Sequence, residues 1–184
     1  KVIFIPNQSD LNEKIVNSIY ENKIVGYFQG RMEFGARALG NRSILANPCE
    51  KNIKEIINLK IKRRENFRPF APSIIENEKL NWFYTNFKNP YMSAVENIIE
   101  RKRNLIPAVT HVDGTGRVQT VSKDLNPKFF SLINKFFEIS GVPILLNTSF
   151  NENEPIVNKP SEAIECFLRT KMDVLVLENY LIMR

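Results

Sequence analysis

The sequence predicts a mixed α/β domain in which a twisted sheet is covered by helices. Short apolar runs such as KIVGYF (23–28), SILA (43–46) and PILLN (143–147) have the length and composition of buried strands. Other segments space their apolar residues three and four apart, as one face of a helix requires. The chain has 184 residues, of which 43% are hydrophobic and 25% charged, enough for one domain with its own core.

Each element follows from local pattern. Residues 9–21 set Leu11, Ile15, Ile19 and Tyr20 roughly on one helical face, with Ser9 and Asp10 as candidate caps. KIVGYF is a strand, the glycine-rich stretch 30–43 a loop, and SILA a strand halted by Pro48. Ile53, Ile56, Ile57 and Leu59 give residues 50–62 a helical rhythm. Lys62 and Arg64 then fall at the helix end or just beyond, where the helix dipole favours cations. In FRPFAPSII, Pro69 and Pro72 restrict the first half to an extended edge segment, and SII continues into the core.

YMSAV (91–95) and PAVTHV (107–112) read as strands joined by the charged connection ENIIERKRNL. GTGRVQTV (114–121) reads as the return strand of a hairpin turned at Asp113–Gly114. Residues 126–141 form the clearest helix: Pro127 near its first turn, Phe129, Leu132, Ile133, Phe136 and Phe137 inward, Gly141 as terminator. PILLN, the turn TSFNENEP, the helix PSEAIECFLR and the terminal DVLVLENYLIM complete the chain.

Composition narrows the function. No apolar run approaches the ~18 residues needed to span a bilayer, and no secretory pattern opens the sequence. Cys49 and Cys166 allow at most one bridge, and His111 is the only histidine, so no zinc site is expected. Two reduced thiols point to the cytoplasm. The formal charge is +6, and the whole of it lies between Arg31 and Phe70, which hold six Arg and four Lys against four Glu. Such concentration implies a local anionic site more than a broad nucleic-acid footprint.

Four groups carry the chemistry. Arg31, Arg37 and Arg42 lie among Gly30, Gly35 and Gly40, where backbone can approach a ligand and guanidinium forks grip phosphate. A solvated loop with a salt bridge to Glu33 is the competing reading. IKRRENFRPF adds Lys62, Arg63, Arg64 and Arg68 with interleaved Phe67 and Phe70. This composition fits either a small anion or stacked single-stranded bases. HVDGTGRVQT sets His111, Asp113 and Arg117 together, with 111 and 113 on one side of a strand. Asn147, Thr148, Ser149 and Asn151 follow an apolar strand, where α/β sheets commonly place ligands. Abundant cations without a protein nucleophile fit phosphoryl or nucleotidyl transfer by positioning and electrostatics.

The segments GYFQGRMEFGARALGNRSILANP, IKRRENFRPFAPSI, IPAVTHVDGTGRVQTV and GVPILLNTSFNENEPIV resemble the carboxy-terminal domain of the NodU/CmcH-type O-carbamoyltransferases. The resemblance implies a YrdC-like domain over residues 23–184, with 1–22 as a lead-in segment and helix from an interdomain region. It implies formation of carbamoyl-adenylate from carbamoyl phosphate and ATP, with Mg²⁺ accompanying the ATP. An amino-terminal domain of actin-like ATPase fold would then pass the carbamoyl group to a small-molecule hydroxyl. The absence of an initiating Met agrees with a front that has been removed.

Lys62-Arg63-Arg64 and Ser149-Phe150-Asn151 match the KxR and SxN patterns of YrdC-like proteins. By that match Lys62 and Arg64 hold phosphates, while Ser149 and Asn151 orient the nucleotide or the carbamoyl end. His111 and Arg117 join them as catalytic candidates. Arg31, Arg37, Arg42, Arg68, Asn147 and Thr148 are candidates for nucleotide binding. Ala36 stands where the family usually has Pro, and NENEP lacks the usual Gly. The alternative is a basic RNA-binding or interdomain module without catalysis of its own, although the charge pattern favours a small anion over RNA.

Overall fold

Strands that are apolar along their whole length need cover on both faces, and the tertiary structure supplies it. A computed structural model describes residues 1–184. In chain order the elements are β1 (Val2–Phe4), α1 (Gln8–Tyr20), β2 (Val25–Phe28), β3 (Arg42–Ala46), α2 (Ile53–Lys60) and β4 (Ala71–Ile75). β5 (Glu96–Asn97), α3 (Glu100–Arg103), β6 (Thr115–Gly116), β7 (Gln119–Val121) and α4 (Pro127–Ser140) follow. β8 (Ile144–Ser149), α5 (Pro160–Arg169), β9 (Val174–Leu177) and β10 (Tyr180–Met183) close the chain.

Eight strands form one sheet in the order β1-β10-β9-β2-β3-β8-β4-β7. β2 runs parallel to β9 and β4 parallel to β7, while the other pairs are antiparallel, so the sheet is mixed as expected. On β2, Tyr27 meets Phe129 of α4 with ring centroids 6.4 Å apart. The neighbouring Gly26 faces the opposite side, where a Cβ would lie 2.8 Å from the Phe150 ring. Residues 1–22 belong to the same body: Val2 pairs with Ile182, and Leu11, Ile15 and Ile19 are buried in the common core.

The helices at 127–140 and 160–169 form where the spacing places them. Asn126 Oδ1 caps the first by accepting from the Phe129 amide at 3.0 Å, and Gly141 ends it with φ of +72°. The cap of α1 is Asn7, which accepts from the Ser9 and Asp10 amides at 2.8 and 3.3 Å, so the cap precedes the two expected residues. β4 corrects the edge expectation. It lies inside the sheet, between β8 and β7. The β7 ladder begins at Ser73, one residue past Pro72, so the missing proline N–H interrupts no pairing with β7.

The middle departs furthest from expectation. Residues 91–95 are irregular, and Pro107–Val109 is a single 3-10 turn rather than a strand. The Asp113–Gly114 turn exists, with the Gly114 amide donating to His111 O at 2.9 Å, but it joins no hairpin. β6 pairs instead with β5, and β7 leaves to join β4. A buried ion pair organises this region: Lys79 Nζ lies 2.8 Å from Glu96 Oε1 and 2.7 Å from Oε2. Thr85 also donates to that carboxylate, and Lys79 to the Phe87 carbonyl. Local periodicity carries no trace of such a pair.

Candidate active site

The glycine-rich loop is braced rather than solvated. Glu33 Oε1 accepts from the Leu39, Asn41 and Arg42 amides at 2.6, 2.7 and 3.2 Å, so its carboxylate serves the loop backbone and not an arginine. Gly40 closes the loop against α4: its φ is +109°, and a Cβ would lie 2.2 Å from the Phe129 ring. The loop therefore holds a fixed shape over the sheet.

Beside it, at the end of β8, lies a cleft of about 300 Å³. Arg37 comes from the glycine loop, Arg64 and Arg68 from the segment after α2, and His111 and Arg117 from the turn before β7. Asn147, Thr148 and Ser149 supply its β8 wall, with Phe70, Ala71 and Met92 completing it. No acidic side chain lines it. Arg37 and Arg117 make no ion pair, whereas the nearby acids are engaged elsewhere: Glu152 with Arg63 at 2.9 Å and Arg169 at 3.5 Å, Glu154 with Arg169 at 2.6 Å. Four arginines therefore line the cleft, and Arg68 alone of them pairs with a carboxylate, a composition suited to holding an anion.

Arg64 is positioned by Asn58, to whose Oδ1 its Nε donates at 2.7 Å, and by the Phe70 ring 5.0 Å away. Burial and the neighbouring Arg68 lower its pKa below the ordinary guanidinium value. Arg68 pairs with the exposed Glu65 at 2.8 Å.

Lys62 lies behind the β8 end and is only 2% exposed. Its Nζ lies within 2.5 Å of Ser149 O, 2.7 Å of Asn151 Oδ1, 2.8 Å of Asn151 O and 3.3 Å of Ser149 Oγ. Ser149 Oγ donates to Asn151 Oδ1 at 2.8 Å. The KxR lysine thus clamps the SxN loop. Burial and then Arg64 push its pKa down to about 7. Lys62, Ser149 and Asn151 line a second hollow that shares Arg64, Arg68 and Ser149 with the main cleft.

His111 and Asp113 do not form a direct pair on one strand face, because this segment is a turn. Thr115 stands between them, 3.0 Å from His111 Nδ1 and donating its hydroxyl to Asp113 Oδ1 at 2.7 Å. With that proton committed to the carboxylate, Nδ1 carries the hydrogen and donates to Thr115, leaving Nε2 as the free ring position. Burial is the main influence on the imidazole and lowers its pKa.

Four expected residues do not line the main cleft: Lys62 and Asn151 line only the adjoining hollow, and Arg42 and Arg31 line neither. Arg42 is buried, with Nη1 donating to Gln29 O and Asn41 O at 2.9 and 3.1 Å and Nη2 to Gly30 O at 2.9 Å. It stacks 3.5 Å from the Phe28 ring centroid, so it braces the loop base. Arg31 is exposed, and its carbonyl accepts from Asn41. Sequence reasoning missed Met92, Ser73 and Gln119. The last two carried a readable signal: Ser73 is the lone polar residue of APSII, and Gln119 stands with Thr120 between the valines of VQTV.

Fold and cleft together define a YrdC-like α/β domain with an arginine-lined cleft. Residues 16–184 match the family model described as the carbamoyltransferase C-terminus, and the chain belongs to that family. It is 47% identical over 184 residues to the nodulation protein NolNO of Sinorhizobium fredii, covering 98% of this chain and 27% of that protein. It is 36% identical over 171 residues to the 3'-hydroxymethylcephem-O-carbamoyltransferase of Amycolatopsis lactamdurans, covering 92% of this chain and 32% of the relative. The chain therefore spans about a quarter to a third of the length of these relatives.

Among solved structures, Sua5 of P. abyssi complexed with L-threonine superposes with a TM-score of 0.62 at 16% identity, over 92% of this chain and 46% of Sua5. Full-length HypF in its phosphate- and nucleotide-bound form gives 0.59 at 16%, over 96% of this chain and 22% of HypF. These likenesses establish the fold. No helix of the chain is long and apolar enough to cross a membrane.

Proposed function

We propose that this domain activates a carbamoyl group by joining it to AMP, using carbamoyl phosphate and ATP. The observation that carries the reading is the acid-free cleft in which Arg37, Arg64, Arg68 and Arg117 meet the polar end of β8. Water cleaves carbamoyl phosphate to carbamate and phosphate. A carbamate oxygen then attacks the α-phosphorus of ATP, and the bond to the bridging oxygen breaks to release pyrophosphate. The arginines hold phosphate oxygens and stabilise the charge that accumulates on them in the transition state. His111 Nε2, free and neutral near pH 7, is positioned to take a proton from the attacking water. Lys62 fixes the loop through Ser149 and Asn151, and so holds Ser149 at the cleft wall.

Mg²⁺ arriving with ATP supplies further charge neutralisation. No carboxylate lines the cleft, so Mg²⁺ would be held chiefly by the ATP phosphates it accompanies and not by the protein. The activated carbamoyl group then passes to a small-molecule hydroxyl in a preceding domain of actin-like ATPase fold. That step agrees with relatives three to four times longer, one of them named for a hydroxymethyl acceptor. The cytoplasm, where ATP and carbamoyl phosphate are made, is the proposed location.

The test is pyrophosphate release by the chain with ATP, Mg²⁺ and carbamoyl phosphate, each omitted in turn. Release that requires carbamoyl phosphate is expected. ATP binding without release refutes catalysis by this domain alone. Neither binding nor release refutes the reading and returns the basic surface to RNA or a protein partner.

A further inference from the structure

Under the arginines lies a polar network that phosphate binding does not use. Asn147 on β8, Ser73 on β4 and Gln119 on β7 meet below the glycine loop. Two loop carbonyls orient both amides. Gln119 Nε2 donates to Leu39 O at 2.8 Å, which turns its Oε1 toward Ser73 Oγ at 2.6 Å and Asn147 Nδ2 at 3.1 Å. Asn147 Nδ2 also reaches Ala38 O at 3.2 Å and Ser73 Oγ at 3.0 Å.

Exchanging the oxygen and nitrogen of Asn147 would set acceptor against acceptor at both Ala38 O and Gln119 Oε1. The amide is therefore locked. Its Oδ1 is left facing away from the network, buried and without a partner. Asn147 is 1% exposed and lines the cleft. A buried carbonyl oxygen that lacks a donor carries the cost of a lost hydrogen bond, and a ligand that brings a donor recovers it. The four arginines around the same cleft repel a cationic amine, so the donor must be neutral.

We propose that Asn147 Oδ1 receives an N–H of the carbamoyl group, and so separates carbamoyl phosphate from acyl phosphates that lack N–H. The assignment rests on the reading of the cleft as a carbamoyl phosphate site. A small neutral NH₂ at the tip of an acyl phosphate is the donor best suited to so closed a floor, with its phosphate left to the arginines. The amino group of adenine offers the same donor chemistry from a much larger ring, and the experiment separates the two sources.

Calorimetric binding of carbamoyl phosphate and acetyl phosphate to the chain compares molecules of like shape and charge that differ by NH₂ against CH₃. Carbamoyl phosphate should bind at least about tenfold more tightly, the usual margin for a satisfied buried acceptor. Asn147→Leu should retain inorganic phosphate binding and lose the preference. In the unsubstituted protein, the Asn147 side-chain NMR signals should shift with carbamoyl phosphate and not with acetyl phosphate, which tests the assignment without a variant.

Equal binding of the two acyl phosphates, or a preference that survives Asn147→Leu, overturns the proposal. So does a preference for ATP over ITP, which lacks the adenine amino group, that disappears in Asn147→Leu while the acyl phosphates bind alike. Preference without pyrophosphate release leaves Asn147 assigned and removes adenylation. Pyrophosphate release driven equally by acetyl phosphate does the reverse.

Discussion

Replacing Lys62 by Met keeps the length of the side chain and removes the ammonium. Three oxygens within 2.5–2.8 Å of Nζ lose a charged donor. Ser149 O keeps the Asn151 amide at 3.1 Å, and Asn151 Oδ1 keeps the Ser149 hydroxyl at 2.8 Å, so Asn151 O is the group left bare. Hydrogen bonds to a charged group contribute about 1.5–3 kcal/mol each, roughly 5–9 kcal/mol for three. Against this, a pKa drawn from 10.5 down to about 7 means that burial, together with Arg64, disfavours the charge by about 5 kcal/mol net. The balance favours the parent by about 0–4 kcal/mol at pH 6, where the amine is charged in both folded and unfolded chains.

The pH dependence has a defined sign. The folded pKa is depressed, so between about pH 7 and 10.5 the unfolded chain holds the proton that the folded chain has released. The parent should therefore gain on the variant by about 1.4 kcal/mol per pH unit across that window. Urea denaturation of parent and Lys62→Met at pH 6 and pH 9 measures both quantities, and amide exchange at Asn151 reports the loop. A variant as stable as the parent at pH 6, with unchanged protection at Asn151, would refute the clamp.

The remaining expectations concern other parts of the domain. Arg117→Ala removes a cleft arginine that has no ion pair, so folding stability should stay within ~0.5 kcal/mol while ATP binding weakens about tenfold or more; unchanged affinity in a filter or calorimetric assay counts against the cleft. His111 has a lowered folded pKa, so its contribution to stability is present at neutral pH and lost as pH falls below about 6.5. Urea midpoints between pH 7.5 and 5.5 should fall further for the parent than for His111→Gln. Lys79→Met strands the Glu96 carboxylate inside the protein and should cost about 3–5 kcal/mol, with much of that restored when Glu96→Leu is added; additive losses in the double variant would show that the two do not act as a pair.

Much of the architecture was legible because it is local. Pro127, the spacing of Phe129, Leu132, Ile133 and Phe136, and Gly141 prescribe α4 from fourteen or so adjacent residues, as the apolar run at 144–147 prescribes β8. The long motifs carry the family resemblance for the same reason. Within residues 91–121 the turn at Asp113–Gly114 and the strand at 119–121 were read correctly, but the strands at 91–95 and 107–112 and the hairpin pairing were not, because short alternating stretches specify extended chain without naming a partner. β6 found β5, β7 found β4, and the buried Lys79–Glu96 pair set the path between them.

The candidate site divides along the same line. Charge counting pointed to residues 31–70 as the basic part of the chain, and chemistry proposed which arginines would meet an anion. Only the packed structure decided which arginines remain free. Arg42 and Arg37 stand five residues apart in one loop, yet Arg42 is bound by the carbonyls of Gln29, Gly30 and Asn41 while Arg37 lines the cleft with Arg64 and Arg117. Asn147 shows the same dependence, its amide locked by residues 74 and 109 positions away. Periodicity and composition are properties of neighbours in sequence. Which donor meets which acceptor is settled by neighbours in space, and here those come from five separate stretches of the chain.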